Sequence, residues 1–313
     1  MKCLIKCRAC LVAATRCYAE ATDAQPDNPQ VLNNWGLVLQ ELSEDMKYGG
    51  ERDVLLRQAI AKFRQAVRVR PDYDSGCYNL GRSCYTYACT LQGELAGASA
   101  SRNMTAPSSP MSLTEAEEAT RSWQAREAEA SSMFTHSAQY ICLAFVLQQQ
   151  KAVYRQSLNV VKQLLPLPFL RAGFLSAPIP GTQGTPDEVW RRDWFVLDHA
   201  SLRSATSSEG SLSGHLVTPQ LRPSPADSSH QALVLPIPQL VHATRVDDPS
   251  LPEGAALWIC CEGDTQGSFL VADDEDAADA WADAVILLAH IARTRSPHAL
   301  AAAMAASTVA QQY

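Results

Sequence analysis

Two segments of the chain carry the same spacing of small, aromatic and helix-stopping residues. Nothing else in the sequence limits the fold as tightly. Ala14, Tyr18, Ala21 and Pro26 are 4, 3 and 5 residues apart, and Ala59, Phe63, Ala66 and Pro71 repeat those intervals. Such intervals put the first three residues on one helix face. The alanines let a second helix approach closely, the aromatic fills the space one turn on, and Pro stops the helix before the next turn. Leu32, Trp35, Gly36 and Leu39 fit the partner helix, with Gly36 at the close contact.

Hairpins of about 34 residues with this signature resemble tetratricopeptide repeats, which stack into concave surfaces that bind peptides and proteins. The first repeat is partial, with residues 1–23 as its second helix. Ala59 follows Gly36 by 23 residues, where about 12 are usual, so an insertion of about 11 is expected near Ser43–Arg52. After Pro71, the run Cys77-Tyr78-Asn79-Leu80-Gly81 opens another first helix. Residues 92–112, rich in Gly, Ala, Ser and Pro, predict a flexible insertion. Residues 113–135 return to helix, Ser131–Gln149 matches a second helix through Ile141 and Ala144, and Tyr154–Leu165 is a last amphipathic helix. Pro166 and Pro168 close a helical domain spanning 1–166.

Beyond it the hydrophobic period becomes strand-like. Strands are expected at Phe169–Ser176, Trp190–Leu197, Ser201–Ser204, Gln231–Ile237, Val241–Val246, Ala256–Cys261 and Ser268–Val271. Residues 205–230 contain 14 Ser, Thr, Pro or Gly among 26 and predict a flexible loop. A final helix starts in the acidic turn Asp273–Asp276. Its apolar stripe is Ala277, Trp281, Val285, Leu288 and Ala292.

Seven strands and a helix with a central Trp, together with Ala172-Gly173-Phe174-Leu175 and Trp190-Arg191-Arg192-Asp193-Trp194-Phe195-Val196-Leu197, resemble a pleckstrin-homology domain over 168–295. The fold implied is α + β in two domains. A tetratricopeptide-like helical array is followed by a pleckstrin-homology-like β-barrel capped by the C-terminal helix, with an Ala-rich tail at 297–313. The pairing of the two, with Asn33-Asn34-Trp35-Gly36-Leu37-Val38-Leu39-Gln40-Glu41-Leu42, Tyr78-Asn79-Leu80-Gly81 and Leu164-Leu165-Pro166-Leu167-Pro168, resembles the plant and algal hypersensitive-to-latrunculin-B family. That resemblance implies a non-enzymatic peripheral adaptor of the trans-Golgi network and early endosome. It further implies a link to an ARF guanine-nucleotide exchange factor and to actin-dependent vesicle traffic.

Composition narrows the partners. Residues 1–162 hold 18 Lys+Arg and 16 Asp+Glu, whereas residues 163–313 hold 8 Arg, no Lys and 17 Asp+Glu. A C-terminal half this acidic argues against nucleic acid and against recruitment to an anionic membrane by bulk charge. No apolar run reaches the roughly 18 residues needed to span a bilayer. Lys2, Lys6 and Arg8 interrupt the first ten residues, so they do not read as a signal peptide. A cytoplasmic setting, with the ten cysteines reduced, is the expectation.

The candidate partner-binding residues are polar positions on the first helices: Asn33, Asn34, Gln40, Asn79 and Arg82. The candidate phosphoinositide contacts are Arg171, Arg191 and Arg192, because guanidinium groups bind phosphate in bidentate fashion. Asp193, where lipid binders of the family usually carry a basic residue, favours a protein-binding version of the domain. Cys3, Cys7 and Cys10 have the spacing of an iron–sulfur ligand set, but on a helix the same spacing is one face. Neither a catalytic set nor a metal or cofactor site is expected. Two alternatives to the adaptor stand beside it: a phosphoinositide-recruited peripheral protein and an iron–sulfur enzyme using these cysteines.

Overall fold

The computed structural model of the protein describes residues 2–46, 50–104, 113–166, 168–179, 189–205, 233–264, 266–294 and 301. It divides into two compact units, Met1–Leu164 and Leu165–Tyr313. The first is helical and the second is an antiparallel sheet with a helix at its end. No described helix is long and apolar enough to cross a membrane.

The helical unit runs α1 (Lys2–Ala24), α2 (Pro29–Glu44), α3 (Gly50–Val69), α4 (Asp74–Met104), α5 (Leu113–Leu147) and α6 (Ala152–Val161), then a short 3-10 turn, Lys162–Leu164. Asn28 starts α2: its side-chain oxygen accepts from the backbone N–H of Gln30 at 3.1 Å and of Val31 at 3.3 Å, with Pro29 at the first helical position. Helices α2 and α3 form one hairpin and α4 and α5 another. In each hairpin a glycine permits the approach. A Cβ on Gly36 would lie 2.7 Å from the Phe63 ring, and one on Gly81 would lie 2.7 Å from Ile141 and 3.1 Å from the Ser137 carbonyl oxygen.

Three expectations change here. The insertion expected near Ser43–Arg52 is helical at both ends, since α2 reaches Glu44 and α3 already starts at Gly50, while 47–49 lie outside the described residues. The flexible segment expected at 92–112 is helical through Met104. Ala, Leu, Glu, Gln and Arg outnumber Gly and Ser there, and no Pro occurs before Pro107. The rest of that segment, 105–112, lies outside the described residues. Finally, the two helical stretches expected over 113–149 are one continuous helix, α5.

The second unit contains β1 (Arg171–Pro178), β2 (Trp190–Leu197), β3 (Ser201–Ser204), β4 (Val234–Pro236), β5 (Leu240–Val246), β6 (Ala255–Cys261), β7 (Ser268–Ala272) and α7 (Glu275–Thr294). The sheet order is β4-β3-β2-β1-β7-β6-β5, with every neighbouring pair antiparallel. The expected closed barrel is not formed. β4 and β5 end the ladder, linked through the 3-10 turn Ile237–Gln239 but not hydrogen-bonded to each other. Pro236 and Pro238 remove two backbone donors at that junction.

Asp274 caps α7, its carboxylate accepting from Ala277 N–H at 2.7 Å. Helix α7 packs on β5, β6, β7 and the 3-10 turn. Trp281, Val285 and Leu288 are buried in it, while Ala277 and Ala292 are half-buried. Gly173 on β1 faces Trp281, where an added Cβ would sit 3.5 Å from the indole. The expected loop at 205–230 lies outside the described residues apart from Ala205, as does the tail at 297–313 apart from Ala301.

Candidate partner-binding surface

Side chains of α2 and of α6 each meet α4, through different residues of it. Polar side chains sit in the first contact. The Asn79 amide donates to Asn33 Oδ1 at 2.9 Å, and Ser83 Oγ donates to Gln40 Oε1 at 3.2 Å. Asn33 and Gln40 are buried, 3% and 5% exposed. Three of the five sequence-predicted contacts, Asn33, Gln40 and Asn79, are thus engaged in holding helices together. Asn34 is half-buried and accepts from Gln30 Nε2 at 3.0 Å. Arg82 is exposed on α4. Leu37, at 38% exposure, holds the equivalent place on α2, one residue after Gly36 as Arg82 follows Gly81.

The α4–α6 contact is a network that sequence reasoning missed. Lys151 Nζ donates to Asp74 Oδ2 at 2.5 Å and to the Tyr154 hydroxyl at 3.0 Å, and Tyr154 donates to Asp74 at 2.7 Å. The Tyr78 and Tyr154 rings lie 4.6 Å apart, and the Tyr78 hydroxyl meets Ser157 Oγ at 3.0 Å. Burial pushes the Asp74 carboxyl up, but the hydrogen bonds from Lys151 and Tyr154 outweigh it and hold it below its ordinary value. The hydrogen bond to Asp74 raises the Lys151 ammonium correspondingly. Asp74 and Lys151 are 77 residues apart, so no local pattern announces the pair.

The three arginines expected to contact phosphoinositide do not converge. Arg171 pairs in register with Leu197, whereas Ser176 and Ala177 pair with Arg192 and Arg191. The five residues from Arg171 to Ser176 span roughly 17 Å of strand, so Arg171 is at the other end of the hairpin. Arg171 is buried and lies over the Trp281 ring at 4.8 Å. Arg191 donates twice to Asp193, at 2.8 and 2.6 Å. Arg192 donates to both oxygens of Asp273, at 3.0 and 2.7 Å, and stands 4.7 Å from the Phe174 ring centre. Adjacent strand residues point to opposite faces, which separates Arg191 from Arg192. The depression beside Arg191 and Asp193, lined by Ala177, Phe195 and Ser204, holds about 10 Å³. That is room for one water at most.

Cys10 is exposed on α1, and the side chains of Cys3 and Cys7 lie outside those described. Among the described residues, no group of three or more His, Cys, Asp and Glu side chains is placed to hold a metal ion. No protein-family model matches the chain, and no curated protein matches it in sequence.

Proposed function

We propose that the protein is a non-enzymatic adaptor whose helical unit is a tetratricopeptide-like array and whose second unit is a pleckstrin-homology-like, protein-binding module. It works at the cytoplasmic face of the trans-Golgi network and early endosome, in vesicle traffic linked to actin. The reading rests on the sequence resemblance and on one structural observation. The row α2–α4–α6 is locked internally by Asn33–Asn79 and Tyr78–Tyr154, leaving Leu37 and Arg82 outward at equivalent places. An exposed aliphatic on one helix and an exposed guanidinium at the equivalent place on the next suit a peptide with apolar and acidic side chains. The candidate partner is an ARF guanine-nucleotide exchange factor.

The test is co-precipitation of the full chain with that purified exchange factor. The double variant Leu37→Glu/Arg82→Glu is expected to lose capture while keeping the parent's helical circular dichroism. Equal capture by parent and variant would sink the proposed surface.

The alternative is a phosphoinositide-recruited protein. The ion pairs Arg191–Asp193 and Arg192–Asp273 weigh against it, since each guanidinium already has a carboxylate. Flotation of the full chain with phosphoinositide vesicles should give no lipid-dependent binding. Binding that disappears in Arg191→Glu/Arg192→Glu would replace the protein-binding reading of the second unit with the lipid one.

A further inference from the structure

Helices α2, α4 and α6 begin alike. The backbone oxygen of the residue before each accepts from the N–H four positions on: Asn28 from Leu32 at 3.2 Å, Tyr73 from Cys77 at 3.0 Å and Lys151 from Arg155 at 3.4 Å. Counted from those three residues, the same positions join neighbours. The fifth residue of one helix bonds the sixth of the next, as Asn33 with Asn79 and Tyr78 with Ser157. Helix α6 thus stands to α4 as α4 stands to α2. The ninth position is Leu37, Arg82 and Val160, and all three are exposed, Leu37 at 38% and Val160 at 61%. A helix turns about 100° per residue. On α4 that puts Arg82 between the flank that meets α2 (Asn79 and Ser83) and the flank that meets α6 (Asp74 and Tyr78). The fully buried Leu80 and Cys84 are on the far side.

From this we infer that Leu37, Arg82 and Val160 together bind a partner's segment in polyproline II conformation, with an acidic residue between two apolar ones at intervals of three. The inference rests on the adaptor reading and adds to it a third helix and the ligand's period and conformation. The period comes from a match of lengths. Packed helices stand about 8–10 Å apart, and polyproline II advances about 9 Å in three residues, bringing every third side chain to one face. The conformation comes from polarity. The sixth position, on the same three helices, is Asn34, Asn79 and Ser157, all half-buried. A polyproline II chain makes no internal hydrogen bonds and has backbone groups for such side chains to meet, whereas a helix satisfies its own. Charge sets the central residue. Unlike Arg57 and Arg126, the exposed Arg82 has no carboxylate partner among the described residues, so an acid there gains a charge-assisted hydrogen bond.

No stretch of this chain outside the described residues has the required period. The four acids there, Asp187, Glu188, Glu209 and Asp227, follow Gly184, Thr185, Thr206 and Ser224 by three positions, and none of those four is apolar enough to fill the place over Leu37 or Val160. The occupant is therefore a segment of another protein.

The probe is a fluorescently labelled synthetic peptide, Ser-Pro-Leu-Pro-Pro-Glu-Pro-Pro-Leu-Pro-Ser. Titration with the full chain, read by anisotropy, should show saturable binding that weakens as salt rises. Moving the glutamate one position toward either leucine, at unchanged composition, should weaken binding at least tenfold. Arg82→Glu and Val160→Asp should each do the same, and lysine in place of the peptide's glutamate should restore binding to the Arg82→Glu variant. Absence of saturable binding would overturn the inference, and so would equal binding of the shifted peptide or indifference to Val160→Asp. Should the exchange factor still be captured through Leu37 and Arg82 in that event, the adaptor reading stands and the ligand's period alone falls. A dimer in sedimentation velocity that Arg82→Glu dissolves would give the surface to a second copy and overturn the inference as well.

Discussion

Gly36 on α2 lies so close to Phe63 on α3 that a Cβ added to it would come within 2.7 Å of the ring. Phe63 is fully buried and has little room to yield. Gly81 has less room to adjust, because two of its nearest neighbours, at 3.1 and 3.2 Å, are backbone atoms of α5. Gly97, in the same α4, has nothing within 4 Å. Overpacking costs about 1–3 kcal/mol, while replacing a helix-interior glycine by alanine gains about 0.5–1 kcal/mol. Thermal melts should therefore move in opposite directions: Gly36→Ala and Gly81→Ala below the parent, Gly97→Ala slightly above it. A melt for Gly81→Ala at or above the parent's would contradict the packing described.

Asn79→Ala should destabilise the helical unit by about 1–3 kcal/mol, because it strands the buried Asn33 oxygen without a donor. Asn33→Leu with Asn79→Leu should recover much of that loss, since no polar group is then left unpaired. Urea midpoints of the parent, the single variant and the double variant measure it. A double variant no better than the single one would show that the contact's geometry, and not its polarity, is what counts.

The Asp74–Lys151 pair gives a pH signature with a definite sign. The folded Asp74 carboxyl lies below its ordinary value of 3.8, so its contribution is present above that value and lost as the pH falls through the lower, folded one. The folded Lys151 ammonium lies above 10.5, so its contribution is present below that value and lost as the pH rises through the higher, folded one. Asp74→Asn should cost about 1 kcal/mol at neutral pH, the partly exposed Lys151 limiting the effect. The gap to the parent should shrink at both the acid and the alkaline end. Denaturant unfolding from pH 3 to 11 tests it, and a gap that grew toward acid would have the wrong sign.

Removing carboxylates should unmask the sheet's arginines. Asp193→Asn with Asp273→Asn leaves Arg191 and Arg192 without their ion-pair partners and adds two units of positive charge. Both pairs are partly exposed, so the stability cost should stay below about 1 kcal/mol. Flotation at low salt should show more binding to anionic vesicles than the parent gives. No increase would mean that these guanidinium groups do not face a lipid surface.

Thiol reactivity should sort the cysteines by burial. Cys142 is fully enclosed, and burial pushes its thiol up to about 12. Cys77 and Cys84 are also buried, whereas Cys10 and Cys17 are exposed. At pH 8 a disulfide reagent should modify Cys10 and Cys17 in the native protein and reach Cys142 only in denaturant. Mass mapping after a short pulse decides it, and rapid native labelling of Cys142 would disprove the packing of α5.

The strand pattern of the second unit was readable because alternation and turn residues are local. Trp190–Leu197 and Ser201–Ser204 fall where the sequence places them. The open ladder was not readable, because closure depends on whether β4 and β5 meet, which the alternation within each strand does not report. In the helical unit the small–aromatic–small spacing located α1 and α3. The length of α4 was misjudged because Gly and Ser were weighed above the alanines around them. The polar positions were the hardest to read. Asn33, Gln40 and Asn79 look outward-facing by composition, but each meets a polar partner across α2 and α4, and polarity alone does not distinguish a solvated side chain from a paired one.

The second hairpin is much longer than the first. Helices α4 and α5 have 31 and 35 residues against 20 in α3, or roughly 46 and 52 Å against 30 Å. At 92–98 and 117–129 no described side chain is buried. Arg126 bonds Asp53 at 2.9 Å and Glu94 at 2.5 Å, near where the cover ends. Beyond that staple, with no described side chain buried at 95–98 or 117–125, the rods rest chiefly on their own backbone hydrogen bonds. In heavy water the outer turns of α4 and α5 should take up deuterium long before Tyr87 or Tyr140, and the fringe of unwinding should stop at Arg126.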